Sequence, residues 1–146
     1  MEKKLWFDMD GTIADLYGVA GWFEALTYNA DPSPYIVAKP LLNMAVFARL
    51  LHKAQRLGYS IGIISWTAKD STQEYANQVE IAKLEWLRKH LPSVEFDNII
   101  IVPYGTPKSQ CGSGFLFDDD SLIREEWGEG MAYFPSKILE FLRDLK

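Results

Sequence analysis

The sequence predicts an α/β fold: a three-layer sandwich with a central, mainly parallel sheet and one small helical insertion. Three observations predict it. Short apolar runs alternate with longer amphipathic segments, the pattern of consecutive βαβ units. The segments between runs are long enough for the crossovers that parallel strands require. Polar residues capable of chemistry sit at the C-terminal end of four of the runs, where open parallel sheets gather their ligands.

Leu5-Trp6-Phe7 reads as a buried strand ending in the turn Asp8-Met9-Asp10-Gly11-Thr12. Residues 16–40 are rich in aromatics, glycine and proline, which predicts a short helix near 19–28 followed by a proline-rich loop. Leu42, Val46, Leu50, Ala54 and Leu57 fall at helical spacing, with Pro40 as a start signal and Gly58 as a stop. Ile61–Ile64 is the second strand and delivers Ser65-Trp66-Thr67. A helix over 72–90 carries Tyr75, Val79, Ala82, Trp86 and Leu87 on one face. Ile99–Val102 leads to Lys108, and 114–117 leads to Asp118-Asp119-Asp120, where Asp120 is placed to cap a helix. Residues 131–134 and 136–145 read as a last strand and helix. The whole is one domain, with core 1–15 and 41–146 and a cap insertion at about 16–40.

Composition narrows the partners. Net charge is −5 and the basic residues are dispersed, so a long nucleic acid is not expected, while a short end or free nucleotide stays open. The single cysteine, Cys111, allows neither an intrachain disulfide nor a thiolate zinc cluster. No run approaches the ~20 apolar residues of a membrane span. The apolar run near the start ends at Asp8, too early for a secretory signal, so a cytoplasmic setting is expected.

An isolated Asp-x-Asp is weak evidence, because two carboxylates after a strand can simply cap a helix. Together the strand ends say more. A phosphate monoester is a dianion and repels nucleophiles, so its site must supply positive charge. Asp8 and Asp118 are candidate ligands for Mg2+, and Lys108 can neutralise phosphoryl oxygens. Ser65, with Thr67 as the alternative, can donate a hydrogen bond to the phosphoryl group. Asp10 can protonate the leaving oxygen and later activate water, which needs a raised pKa. Gly11 and Thr12 are candidates for holding the anion through backbone amides, Trp66 for walling the pocket and Trp22 for stacking a base. Tyr17, Phe23, Tyr28 and Tyr35 either stack substrate with Trp22 or pack the cap. Lys83 is the rival lysine, but its place on an amphipathic helix reads as a solvated residue. His52 and His90 read as surface residues.

FDMDGTIAD, IISWTA, Lys108 and FLFDDD, in that order, resemble the four motifs of the haloacid dehalogenase superfamily. The resemblance implies a Rossmann-like core and Mg2+-dependent phosphatase activity, with Asp8 as nucleophile and Asp10 as acid/base. It also implies that the Asp10 backbone carbonyl and Asp119 help to hold the metal. The step from Lys108 to Asp118, with Trp127 and Gly130 beyond, is similar to the 5'(3')-deoxyribonucleotidases, although those proteins carry a larger cap. A small phosphate monoester, a nucleotide among the candidates, is the expected partner. A sugar phosphate, a macromolecular phosphate end and a non-catalytic binding role are the alternatives, as is a homodimer in which a second subunit completes the site.

Overall fold

A computed structural model describes residues 2–128 and 130–146 of the chain. Its strands are β1 (Lys4–Phe7), β4 (Ser60–Trp66), β5 (Asn98–Val102), β6 (Phe115–Phe117) and β7 (Ala132–Tyr133), in one five-stranded sheet ordered β5-β4-β1-β6-β7. Every pairing in this sheet is parallel, with Phe7 opposite both Ile63 and Phe117. The chain runs outward from β1 through β4 to β5, then returns to the other side of β1 for β6 and β7. The seam between β1 and β6 is therefore where connections diverge and leave a crevice. Asp8 and Asp118 are the first residues beyond the paired ends of that seam.

Strand alternation sorts the core. Leu5, Phe7, Ile61, Ile63, Phe115 and Phe117 face α3 (Met44–Arg56), α6 (Ile138–Asp144) and the C-terminal end of α4 (Gln73–His90). Phe47, Leu50, Leu51 and Ala54 fill this layer from α3, and Phe7 stacks on Phe117 at 5.1 Å between centroids. Each such buried Phe or Leu contributes ~1.5–3 kcal/mol through removal from water. Trp6, Ile64 and Leu116 point to the opposite face, where Ile123 and Trp127 of α5 (Ser121–Trp127) and Cys111 cover them. Helices thus flank both sheet faces, as expected.

The insertion begins and ends in a two-stranded ribbon, β2 (Ala14–Asp15) against β3 (Lys39–Pro40), running antiparallel. Between them lie α1 (Trp22–Thr27) and α2 (Ser33–Val37). The α2 half is anchored to α4: the Tyr75 hydroxyl donates to Asp31 O at 2.9 Å and Trp86 Nε1 donates to Ala38 O at 2.8 Å. By contrast, α1 buries none of its residues.

Three sequence expectations are corrected. The loop expected over 28–40 contains α2, because Pro34 sits in the first helical turn, where a missing N–H costs nothing. Pro40 does not start α3; it belongs to β3, and Asn43 caps the helix by accepting from Val46 N at 3.1 Å. The face of α3 is centred on Phe47, Leu50, Leu51 and Ala54, leaving Leu42, Val46 and Leu57 only half-buried. Among the described residues no helix is long and apolar enough to cross a membrane.

Candidate active site

The turn after β1 is built on one acceptor: Met9 O receives the amides of Thr12, Ile13 and Ala14 at 3.1, 3.0 and 2.9 Å. Gly11 N donates to Ala14 O, so the turn's backbone bonds leave the Asp10 carbonyl unused. Gly11 has φ +79, and a Cβ there would lie 2.3 Å from an Asp119 carboxylate oxygen. Its missing side chain is what lets Asp119 approach this turn. Thr12 is fully buried; its hydroxyl donates to Asp8 Oδ2 at 3.1 Å and accepts from Asp119 N at 3.2 Å. The amide-cradle role expected of Gly11 and Thr12 is thus corrected. The Gly11 amide is consumed by the turn, and Thr12 ties Asp8 to Asp119 from beneath.

Lys108 is 1% exposed and bridges two acids, with Nζ 2.9 Å from Asp8 Oδ1 and 2.7 Å from Asp118 Oδ2. Burial pulls its pKa down, but the two carboxylates outweigh it and the net shift is upward, so the lysine stays charged. Asp118 is also fixed through Oδ1, which accepts from Asp120 N at 3.0 Å, and through its carbonyl, which accepts from Arg124 at 2.9 Å. Asp120 caps α5 as expected, accepting from Leu122 N at 2.8 Å and Ile123 N at 3.3 Å. Carboxylate oxygens of Asp8, Asp118 and Asp119 all lie within 4.8 Å of one another, a spacing suited to a shared cation. Burial, then the Asp8 charge, pushes Asp118 up to about 6. Burial, then the charges of Asp8 and Asp118, pushes Asp119 up to about 7. A cation would relieve this repulsion, and an all-carboxylate set matches a hard ion such as Mg2+.

Lys83 corrects the reading of it as a solvated helix residue. It is 1% exposed, and its Nζ donates to Asp10 Oδ2 at 2.7 Å, Ser65 Oγ at 2.6 Å and Trp66 O at 2.8 Å. The Tyr35 ring covers the ammonium at 5.0 Å. The signal was in the helical phase: position 83 is four after Val79 and three before Trp86, on the apolar face of α4. An ammonium has three N–H donors, and Lys83 spends all three inside the protein. Lys108 spends two on carboxylates, leaving its third for a ligand. Asp10 is raised by burial, which outweighs the opposing Lys83 charge.

These groups floor a cavity of about 570 Å3 lined by Asp8, Asp10, Lys108, Asp118 and Asp119 at its base. Tyr17, Trp22, Phe23 and Tyr28 form one wall, with successive ring centroids 4.9, 5.7 and 6.2 Å apart. Trp66 and Tyr104, 4.8 Å apart, form another. Tyr35 also borders the cavity, but it is buried and packs the cap onto α4. Thr67 lines the cavity, whereas Ser65 is fully buried and meets the site through Lys83. His52 and His90 lie on α3 and α4 outside the cavity lining and are half-buried rather than exposed; His90 packs against Trp86 at 4.5 Å.

No protein-family model matches this chain, and a search of curated proteins finds no match.

Proposed function

We propose that this chain is a Mg2+-dependent phosphate monoester hydrolase of the haloacid dehalogenase type, acting through an aspartyl-phosphate on Asp8. One observation carries the reading: at the β1/β6 seam, three carboxylates lie close enough to share a cation while Lys108 holds two of them. Asp8, Asp118, Asp119 and the Asp10 carbonyl would hold Mg2+, which when bound supplies charge against the phosphoryl oxygens.

A carboxylate oxygen of Asp8 attacks phosphorus as the ester P–O bond breaks, and Asp10 gives its proton to the leaving oxygen. Asp10 then takes a proton from the water that displaces Asp8 and frees phosphate. Its raised pKa supports the acid role, and Lys83 holds its carboxylate in place. The remaining N–H of Lys108 would serve the phosphoryl group, and Thr67 lines the same cavity. Ser65 accepts from Lys83, which leaves its own O–H free to donate. The aromatic walls favour a flat leaving group, so a nucleoside monophosphate fits better than a sugar phosphate.

Purified protein with Mg2+ releases phosphate from an aryl phosphate, and EDTA or Asp8→Asn abolishes the release. Absence of release across a broad panel of monoesters overturns the proposal.

A further inference from the structure

The chain has five tryptophans, and three of them donate their indole N–H to carbonyls of one short segment. Trp66 Nε1 reaches Thr106 O at 2.8 Å, Trp6 Nε1 reaches Ser113 O at 2.8 Å, and Trp127 Nε1 reaches Gly114 O at 3.0 Å. That segment joins β5 to β6, and its one 3-10 turn, Lys108–Gln110, presents Lys108. Glu126 of α5 adds a fourth grip, accepting from Ser109 N at 3.2 Å and from the Ser109 hydroxyl.

The rings complete the seating. A Cβ at Gly62 or Gly112 would lie 2.4 or 2.7 Å from the Trp6 ring, so the indole is sandwiched between β4 and the segment. Lys108 Nζ lies 5.6 Å from the centre of the Trp66 ring. The gripping side chains come from β1, β4 and α5. These are the elements that run into Asp8, hold Ser65 and follow Asp118-Asp119-Asp120. A buried ammonium is useful only at good distance from its carboxylates, and a loop with unpaired carbonyls cannot hold it there.

We propose that Trp6, Trp66, Trp127 and Glu126 are positioning residues that fix Lys108 between Asp8 and Asp118. The structural part stands on this geometry alone; its consequence for turnover rests on the function proposed above.

Cys111, the only cysteine, reports on the segment directly. Its amide closes the Lys108 turn at 2.9 Å and its thiol contacts Pro107 O at 3.8 Å. The experiment is the labelling rate of Cys111 by an aromatic disulfide reagent in native protein with EDTA. Trp66→Phe and Trp127→Phe keep an aromatic ring and lose the N–H donor together with the fused second ring, a loss that Trp86→Phe shares. Each raises the rate about fivefold, the equivalent of one hydrogen bond of ~1 kcal/mol. Together they raise it about 25-fold if the two grips act independently. Glu126→Ala raises it similarly, and Glu126→Gln, which keeps an acceptor for Ser109 N, recovers most of the loss.

Trp86→Phe removes an indole bond of the same length to the cap and leaves the labelling rate unchanged, although it lowers Tm. Unchanged labelling in the segment variants, or equal acceleration in Trp86→Phe, overturns the proposal. In the turnover arm, kcat falls in the order that labelling rises; a kcat that ignores that order overturns the catalytic consequence. Labelling needs no turnover, so a protein inactive on every ester defeats the functional reading while the grip on Lys108 is still decided.

Discussion

Replacing Lys83 by methionine removes a buried charge while keeping most of the side-chain volume. Three acceptors lose their donor: Asp10 Oδ2, Ser65 Oγ and Trp66 O. Ser65 is fully buried, and a buried polar atom left without a partner costs ~1–3 kcal/mol. Breaking a buried ion pair from one side costs ~3–5 kcal/mol when the other charge is trapped. Asp10 is not trapped. Its side chain is 19% exposed, and it escapes by taking up a proton. Recovery of the lysine's own desolvation cost offsets part of the rest. The net expectation is a loss of ~3 kcal/mol, or roughly 6–12 °C in Tm for a chain of this size. Urea unfolding followed by far-UV circular dichroism, with EDTA present, measures it. Asp10→Asn in the same cycle tests the cause: the double variant should lose ~1–2 kcal/mol less than the sum of the singles, the signature of a direct pair. A single-variant loss below ~1 kcal/mol, or strict additivity, would refute the reasoning, since bonds of 2.6–2.8 Å to a buried ammonium could not then be significant.

Other expectations follow from the same geometry. The raised Asp118 and Asp119 carboxyls keep protons that the unfolded chain has already released, so metal-free stability falls as pH climbs from about 4 through 6 and 7. Mg2+ must displace those protons, so its thermal stabilisation should be larger at pH ~8 than at pH ~5.5 in paired melting curves; the reverse order would exclude these acids as its ligands. Gly11→Ala forces a left-handed alanine at ~1–2 kcal/mol and pushes Asp119 aside, so it should weaken Mg2+ binding in calorimetry as well as lower Tm. Asp10→Asn should lower kcat by ~10²–10⁴ with alkyl esters and far less with nitrophenyl esters; equal losses would argue against proton donation. Trp22→Ala should raise KM for nucleoside monophosphates about 5–150-fold, from ~1–3 kcal/mol of lost stacking, and leave KM for a small alkyl phosphate nearly unchanged.

The sheet and most helices were legible because periodicity and burial agree: Leu5 and Phe7 alternate with Trp6, and Tyr75, Val79, Ala82 and Trp86 share one helical stripe. Asp8, Asp10, Asp118 and Asp119 were legible because each follows an apolar strand. Lys83 was not, because a lysine on an amphipathic helix looks solvated until its acceptors, 17, 18 and 73 positions away in sequence, are brought beside it. Trp6 hid similarly: a tryptophan in a strand looks like core, and its carbonyl partner lies 107 positions away. The short α2 was masked by prolines that mark loops more often than first turns.

The ribbon that opens and closes the insertion pairs Ala14 with Pro40 and Asp15 with Lys39, so the two ends of a 23-residue excursion (16–38) sit one strand apart. Chain grafted at that junction meets ends already held together, and doubling its length costs only about 0.6 kcal/mol in closure entropy. The turn carrying Asp8 and Asp10 lies before the junction and is knitted on Met9 O by its own amides, while the excursion touches it through Tyr17 beside Gly11 and Tyr35 over Lys83. Selection, or an engineer, is therefore free to exchange the α1 half of the cavity wall, which buries none of its own residues, while Tyr35 stays over Lys83 and the carboxylate floor keeps its form.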